Sequence, residues 1–297
     1  MIYFLLVLTV FFCSYQNILK KEFSKRCSGG TYTFTGLCCL GALLVFLVIN
    51  RDFDVTLPLL LYSIGFSVAY AAASVCMVLA IRYGSLAKTS LIISYSLLIP
   101  TLYGIIFLDD PIDTVMIVGF ALLVVSLFLT NYTPKSATPE ETDGSDTQKK
   151  KSSLVLWIIF LVISFVGNGM CSTIQKMEQV ALGEEAQANL FMVIALAINT
   201  VFMFIMAFAT EKKEIVQTTC QKTWWIAGIC GIFNGLTNYL VLVLNKDLPP
   251  SVLFPVISAG GIVFVFLYSM IVYREKFKPM QIIGFVLGVG SIILLNL

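Results

Sequence analysis

Ten long apolar stretches run through this chain, and none of its 17 acidic residues lies inside any of them. The stretches are residues 2–19, 32–49, 57–81, 87–108, 114–131, 154–175, 187–209, 223–244, 250–273 and 279–297. At 1.5 Å per helical residue each crosses, or nearly crosses, a hydrocarbon core of roughly 30 Å. Backbone groups in lipid must bond within the protein, which leaves helices or a closed barrel. The runs are continuous rather than alternating with period two, and that selects helices. Of the 19 basic residues only Lys88 falls inside a run, near enough to its end to reach the headgroups. The expected fold is an all-α integral membrane protein of ten transmembrane helices. The first run has no basic residue before it and no small-residue cleavage site after it, so it reads as the first span rather than a signal peptide.

Composition closes off other classes. Hydrophobic residues make up 58% and charged residues 12% of the 297, against about 25% charged in a typical soluble domain. A water-soluble fold of this length has too much surface to hide that many apolar side chains. The net charge of +2, with its few cations between the runs, gives no electrostatic footprint for nucleic acid. Histidine is absent and the eight cysteines show no CxxC spacing, so no metal or cofactor is expected and the cysteines read as small packing residues. Histidine-dependent intramembrane proteases lack their base, and aspartyl ones lack their paired carboxylates, so an enzyme is not expected.

Residues 132–153 form a polar segment rich in Pro, Ser, Thr and Asp, expected to be a mobile linker. It divides the chain into 1–131 and 154–297, with five runs in each. The halves echo one another: a shift of 165 sets Gly119-Phe120 on Gly284-Phe285, Ser126 on Ser291 and Asp110 on Glu275. Two repeats of five spans each must be inverted, and the charges test that. Every loop of the first half shows the opposite basic bias to its counterpart in the second, and one face collects 16 Lys/Arg while the other has 3. By the positive-inside rule the rich face is cytoplasmic and both termini lie outside.

Residues 269–292, SMIVYREKFKPMQIIGFVLGVGSI, resemble the closing signature of the drug/metabolite transporter superfamily in its EamA-like branch. Glu275, Lys276 and Phe277 match the turn of that signature, and Gly284 and Gly288 match its glycines. Asp109-Asp110-Pro111-Ile112 with Gly119 is a weaker copy in the first half. The resemblance implies ten spans as five plus five, a central cavity between the halves, and export or exchange of small metabolites or drugs. It also implies cytoplasmic termini, opposite to the charge count. The glutamate that small multidrug relatives carry in their first span has no counterpart in residues 2–19.

Uncharged polar residues at membrane depth are the candidate site. Ser164, Asn168, Ser172 and Gln175 fall at i, i+4, i+8 and i+11, on one helical face. Ser63, Ser67, Tyr70 and Ser74 make a second stripe. Asn234 and Asn238 with Tyr239, and Ser90, Ser94 and Tyr95, complete the set. Tyr70, Ser74, Ser94, Tyr95, Asn168, Ser172, Asn234, Asn238 and Tyr239 are the candidate cavity-lining, substrate-binding residues. Their alternative role is interhelical bonding, at about 0.6–2 kcal/mol each. Pro100 and Pro255 can kink their helices. Gly284-x-x-x-Gly288 permits close helix approach, within one chain or in a homodimer. Lys20 and Lys176 each end the first span of a half and read as snorkelling anchors, or as a symmetric pair for an anionic substrate. Glu275 is expected to pair with a neighbouring cation in its own loop.

The functional expectation is a multi-pass plasma-membrane transporter of a small, amphipathic solute, working by alternating access and in contact with membrane lipid. The alternatives are a flippase for lipids or lipid-linked intermediates, and a non-transporting membrane scaffold.

Overall fold

The computed structural model describes residues 2–27, 29–50, 53–107, 114–131, 144–182, 187–215, 223–244 and 250–294, and its regular elements are all helical. In chain order they are α1 (Ile2–Arg26), α2 (Thr31–Ile49), α3 (Leu57–Tyr83), α4 (Leu86–Ser94), α5 (Leu98–Phe107), α6 (Thr114–Asn131), α7 (Gly144–Leu182), α8 (Ala188–Thr210), α9 (Trp224–Leu244), α10 (Pro250–Ile271) and α11 (Pro279–Leu294). Among the described residues, α1, α2, α3, residues 154–182 of α7, and α8 are long and apolar enough to cross a membrane. Large apolar side chains such as Phe4, Val48, Val68, Ile205 and Val286 point outward. Such a surface suits lipid and would aggregate in water.

The apolar runs set where the helices lie, and polar residues at their ends set where they stop. Thr56 caps α3 by accepting from Leu59 N at 3.4 Å, with Pro58 in the first turn. Gly30 precedes α2 with φ 74°, a conformation that favours glycine. The N-terminus of α2 is then capped from far away. The Glu211 carboxylate accepts from Tyr32 N at 3.0 Å, Thr33 N at 2.9 Å and Thr33 Oγ1 at 3.0 Å. Glu275 does the same for α4, accepting from Ser85 Oγ at 2.6 Å and Leu86 N at 3.4 Å. This corrects the expectation of a pairing within its own loop: a carboxylate at a helix N-terminus meets unpaired N–H groups and the positive end of the dipole.

The run 87–108 is not one helix. Pro100 has no N–H to offer the Ser96 carbonyl and its ring crowds that carbonyl. Residues Tyr95–Leu97 form a 3-10 turn between α4 and α5. In the second half, α10 runs without interruption from Pro250 to Ile271, through Pro255. Helix α7 begins at Gly144, so residues 144–153 of the expected linker are helical. Residues 132–143 and Asp109–Ile112 lie outside the described residues.

In the packing, α3 lies along α7, α6 along α11, α2 between α8 and α9, and α1 against α9 and α10. The backbones of α2 and α9 approach closely: a Cβ at Gly231 would strike the Cys38 carbonyl, and one at Gly41 would come within 2.9 Å of the Gly228 carbonyl. Gly288 is filled from within the same chain, by Tyr95, Ser126 and Leu91. The loops after α1, α3, α8 and α10 meet at one end. There Lys21 Nζ donates to the Gly84 carbonyl at 2.9 Å, Arg82 Nη2 to the Gly29 carbonyl at 3.1 Å, and Cys27 Sγ lies 3.4 Å from Thr223 Oγ1. These helix ends and the loops between them carry most of the basic residues.

Candidate functional site

Helix α3 separates two hollows of opposite character. One face of it, with α1, α7 and α9, borders a cavity of about 280 Å³ whose wall carries many polar side chains among apolar ones. Tyr70, Ser74, Asn168, Ser172, Asn234 and Asn238 all line it, so six of the sequence-derived candidates from three separate stripes converge on one space. Ser164 and Gln175, from the same stripe as Asn168, line it too. The cavity extends from Phe66 to Met77 on α3, about 16 Å at the helical rise.

Part of the polar wall is knitted together. Asn234 Nδ2 donates to Tyr70 Oη at 2.9 Å, and Asn238 Nδ2 donates to Asn234 Oδ1 at 2.6 Å and to the Asn234 carbonyl at 2.9 Å. Gln16 Nε2 donates to Thr237 Oγ1 at 3.1 Å. Asn168 Nδ2 donates to Ser96 Oγ, at the 3-10 turn, at 2.6 Å. Ser74 and Ser164 donate to the Tyr70 and Ala73 carbonyls. Other groups keep their capacity open: among the described residues, Ser172 and Gln175 make no side-chain hydrogen bond. Among the described residues lining the cavity none is acidic, and one, Lys20, is cationic.

Three candidates lie elsewhere. Tyr95 is buried on the opposite side of the α4–α5 break, its hydroxyl 2.6 Å from Ser126 Oγ, which donates to the Gly284 carbonyl at 2.7 Å. Ser94 donates back to the Ser90 carbonyl at 2.9 Å, and half-buried Tyr239 is not among the lining residues. At this level α7 meets Ser96 and Ile99 instead, so Tyr95 and Ser94 are turned from the cavity. Cys13, Gln16 and Thr237 also line the cavity and were not among the candidates, and Lys20, read from sequence as an anchor or as half of a pair for an anionic substrate, lines it as well. Gln16 and Lys20 are spaced i, i+4 on α1, the signal that identified the other stripes.

The second hollow is a groove of about 440 Å³ between α3 and α8, lined by residues such as Ile64, Val68, Val75, Phe202 and Met206. Its few polar groups are turned into the protein: Ser67 Oγ lies 2.7 Å from the Ser63 carbonyl and 3.1 Å from the Ala195 carbonyl, and Asn199 Nδ2 donates to the Ala195 carbonyl at 3.0 Å. With exposed apolar walls and almost no polar lining, it suits an acyl chain rather than a hydrophilic solute.

Residues 152–297 match the model of the EamA-like transporter family. Through this half, the chain belongs to that family. The family is part of the drug/metabolite transporter superfamily, so the turn at Glu275–Phe277 and the glycines Gly284 and Gly288 now stand within a matched segment. This EamA-like chain is a multi-pass membrane protein. No curated protein matches it by sequence. Its backbone is similar to that of a solved structure described only as the crystal structure of a protein, with a TM-score of 0.60 at 11% identity, over 98% of this chain and 94% of that one. At that identity the likeness is one of fold alone, and it extends over both halves.

Proposed function

We propose that this EamA-like protein is a secondary transporter, a permease or exporter of a small metabolite or amphipathic solute in the plasma membrane. It has ten transmembrane helices in two inverted five-helix repeats, residues 1–131 and 154–297, which rock about the polar cavity to open it alternately to either side. The observation that carries this reading is the cavity itself. An amide in an apolar environment is costly unless paired, yet Asn168, Asn234, Asn238, Gln16 and Gln175 all face one space. At about 280 Å³ it lies at the lower edge of the roughly 300–1,000 Å³ typical of ligand pockets, which favours a metabolite over a bulky drug. The break at Tyr95–Leu97, beside Asn168, supplies a discontinuous helix next to the site, a feature that recurs where transporters bind their cargo.

Thermal stability in detergent against a broad metabolite panel tests this. A ligand of the folded state present at a hundredfold excess over its Kd contributes about 2.7 kcal/mol and raises Tm. The reading requires one chemical class to raise Tm, and Asn234→Leu to remove the shift. It fails if hydrophilic solutes are silent and only lipids act. That outcome would favour the second reading, a lipid flippase using the α3–α8 groove.

A further inference from the structure

We propose that the solute carried by this protein is a small organic anion, a carboxylate or phosphate ester, whose charged group docks on Lys20 Nζ inside the polar cavity. The proposal rests on the transport reading and names the substrate class for the same site.

The last two turns of α1 carry four cations, and the structure gives them different work. Lys21 Nζ donates to the Ile81 and Gly84 carbonyls, both at 2.9 Å, and so ties α1 to the end of α3. A cation there also meets the negative end of the α3 dipole. Lys25 Nζ sits 3.7 Å from the centre of the Tyr273 ring. Arg26 pairs with Glu22 at 2.9 Å. Lys20 alone turns into the cavity. Its contacts there are Asn17 Oδ1 and Met77 Sδ, each at 3.4 Å, long and weak for an ammonium with three donors.

Among the described residues no carboxylate shares that space: the lining includes no Asp or Glu, and the nearest acid along α1, Glu22, is engaged by Arg26. An ammonium in a small cavity with no carboxylate among the described lining residues is itself a recognition element. An anion entering it gains a charge-assisted hydrogen bond, the stronger kind. A neutral solute leaves the ammonium unpaired, and a cation is repelled at short range. The Gln16 amide lies in the same wall one turn before Lys20 on α1, and the amides of Asn168 and Gln175 lie farther along it, toward the Phe66 end, where the rest of the solute would sit. Lys176, equivalent to Lys20 under a shift of 156, is not among the lining residues. The site is therefore built for one charged group rather than two.

Proteoliposomes holding the full chain and loaded with a defined mixture of small organic anions, cations and neutral solutes test this. The solutes that leave are identified by mass spectrometry. Anions are expected to leave selectively, Lys20→Gln to slow them by about tenfold or more, and Lys20→Arg to retain most of the flux. Melting temperatures of both variants establish that they are folded. If Lys20→Gln does not fold, the charge ranking of the solutes moved by the wild-type chain decides. Selective loss of cations or neutral solutes overturns the anion assignment and leaves the transporter reading standing. So does anion flux that is unchanged in folded Lys20→Gln. If no solute leaves, the transporter reading fails and this assignment fails with it.

Discussion

The two hollows flanking α3 differ in size in the opposite sense to their chemical content. The groove toward α8 holds about 440 Å³ and is lined almost wholly by carbon, whereas the cavity toward α7 and α9 holds about 280 Å³ and carries amides, hydroxyls and an ammonium. A large apolar space beside lipid is no cost to the fold, because hydrocarbon fills it. A polar space at membrane depth is costly, since each uncompensated polar group there loses its water. Volume alone would have chosen the groove. Chemistry chooses the cavity, and the same helix serves both by presenting Tyr70 and Ser74 to one side and Ile64 and Val68 to the other.

The comparison can be broken by changing one side at a time. The largest expected effect is from Asn234→Leu, which adds apolar bulk to the cavity and takes the hydrogen bond from Tyr70 Oη. Removing a buried partner costs about 1–3 kcal/mol, so flux should fall roughly 5- to 150-fold. The mirror experiment, Val68→Leu in the groove, should leave flux unchanged. Equal losses would end the distinction between the hollows.

Next comes the wall behind the cavity. Gly231→Ala pushes a Cβ into the Cys38 carbonyl, whereas Gly228→Ala, one turn away, meets nothing within 4 Å. Overpacking at Gly231 should cost about 1–3 kcal/mol and move α9 with its amides, lowering both Tm and flux. Gly228→Ala should cost nothing measurable in either.

Smaller still is Glu211→Gln. Its carboxylate holds Tyr32 N and Thr33 N at the start of α2, and Tyr32 also lines the groove. Loss of the charge should cost about 0.5–2 kcal/mol of stability, read as a lower Tm, while flux per folded molecule is retained. Smallest is Ser96→Ala, which removes the acceptor of Asn168 Nδ2 at the helix break. Such intramembrane bonds average about 0.6 kcal/mol, so Tm should barely change. A shift in substrate affinity without a shift in Tm would mark the break as part of the site.

The helices were legible because burial in lipid writes itself into sequence as unbroken apolar runs, and each run contains a described helix. Their ends were less so. α1 continues past residue 19 to Arg26, and α7 starts ten residues before its apolar run, because charged residues such as Lys20 and Lys21 are good helix formers once the helix is under way. The stripe Ser164, Asn168, Ser172 and Gln175 was legible as a cavity face because helical periodicity is local. Tyr95 was not, because which side of α4 faces α7 depends on the break at Pro100 and on packing against α6 and α11. The roles of Glu211 and Glu275 were beyond reach of local pattern. Their partners are 179 and 190 residues away in the chain. Lys20 could be read from sequence either as an anchor closing a span or, with Lys176, as half of a pair for an anionic substrate, and its contrast with the engaged Lys21, Lys25 and Arg26 is what separates the two.

The central claim is that the cavity, not the groove, is the watered path through the protein. Single cysteines placed in a variant lacking the eight native ones test it without knowledge of the substrate. Ser74→Cys and Ser172→Cys report on the cavity, and Ile64→Cys and Val68→Cys on the groove. Each is exposed to a charged, membrane-impermeant thiol reagent. The account predicts labelling at Ser74→Cys and Ser172→Cys and none at Ile64→Cys or Val68→Cys. Labelling confined to the groove positions, with the cavity positions inert, would contradict it.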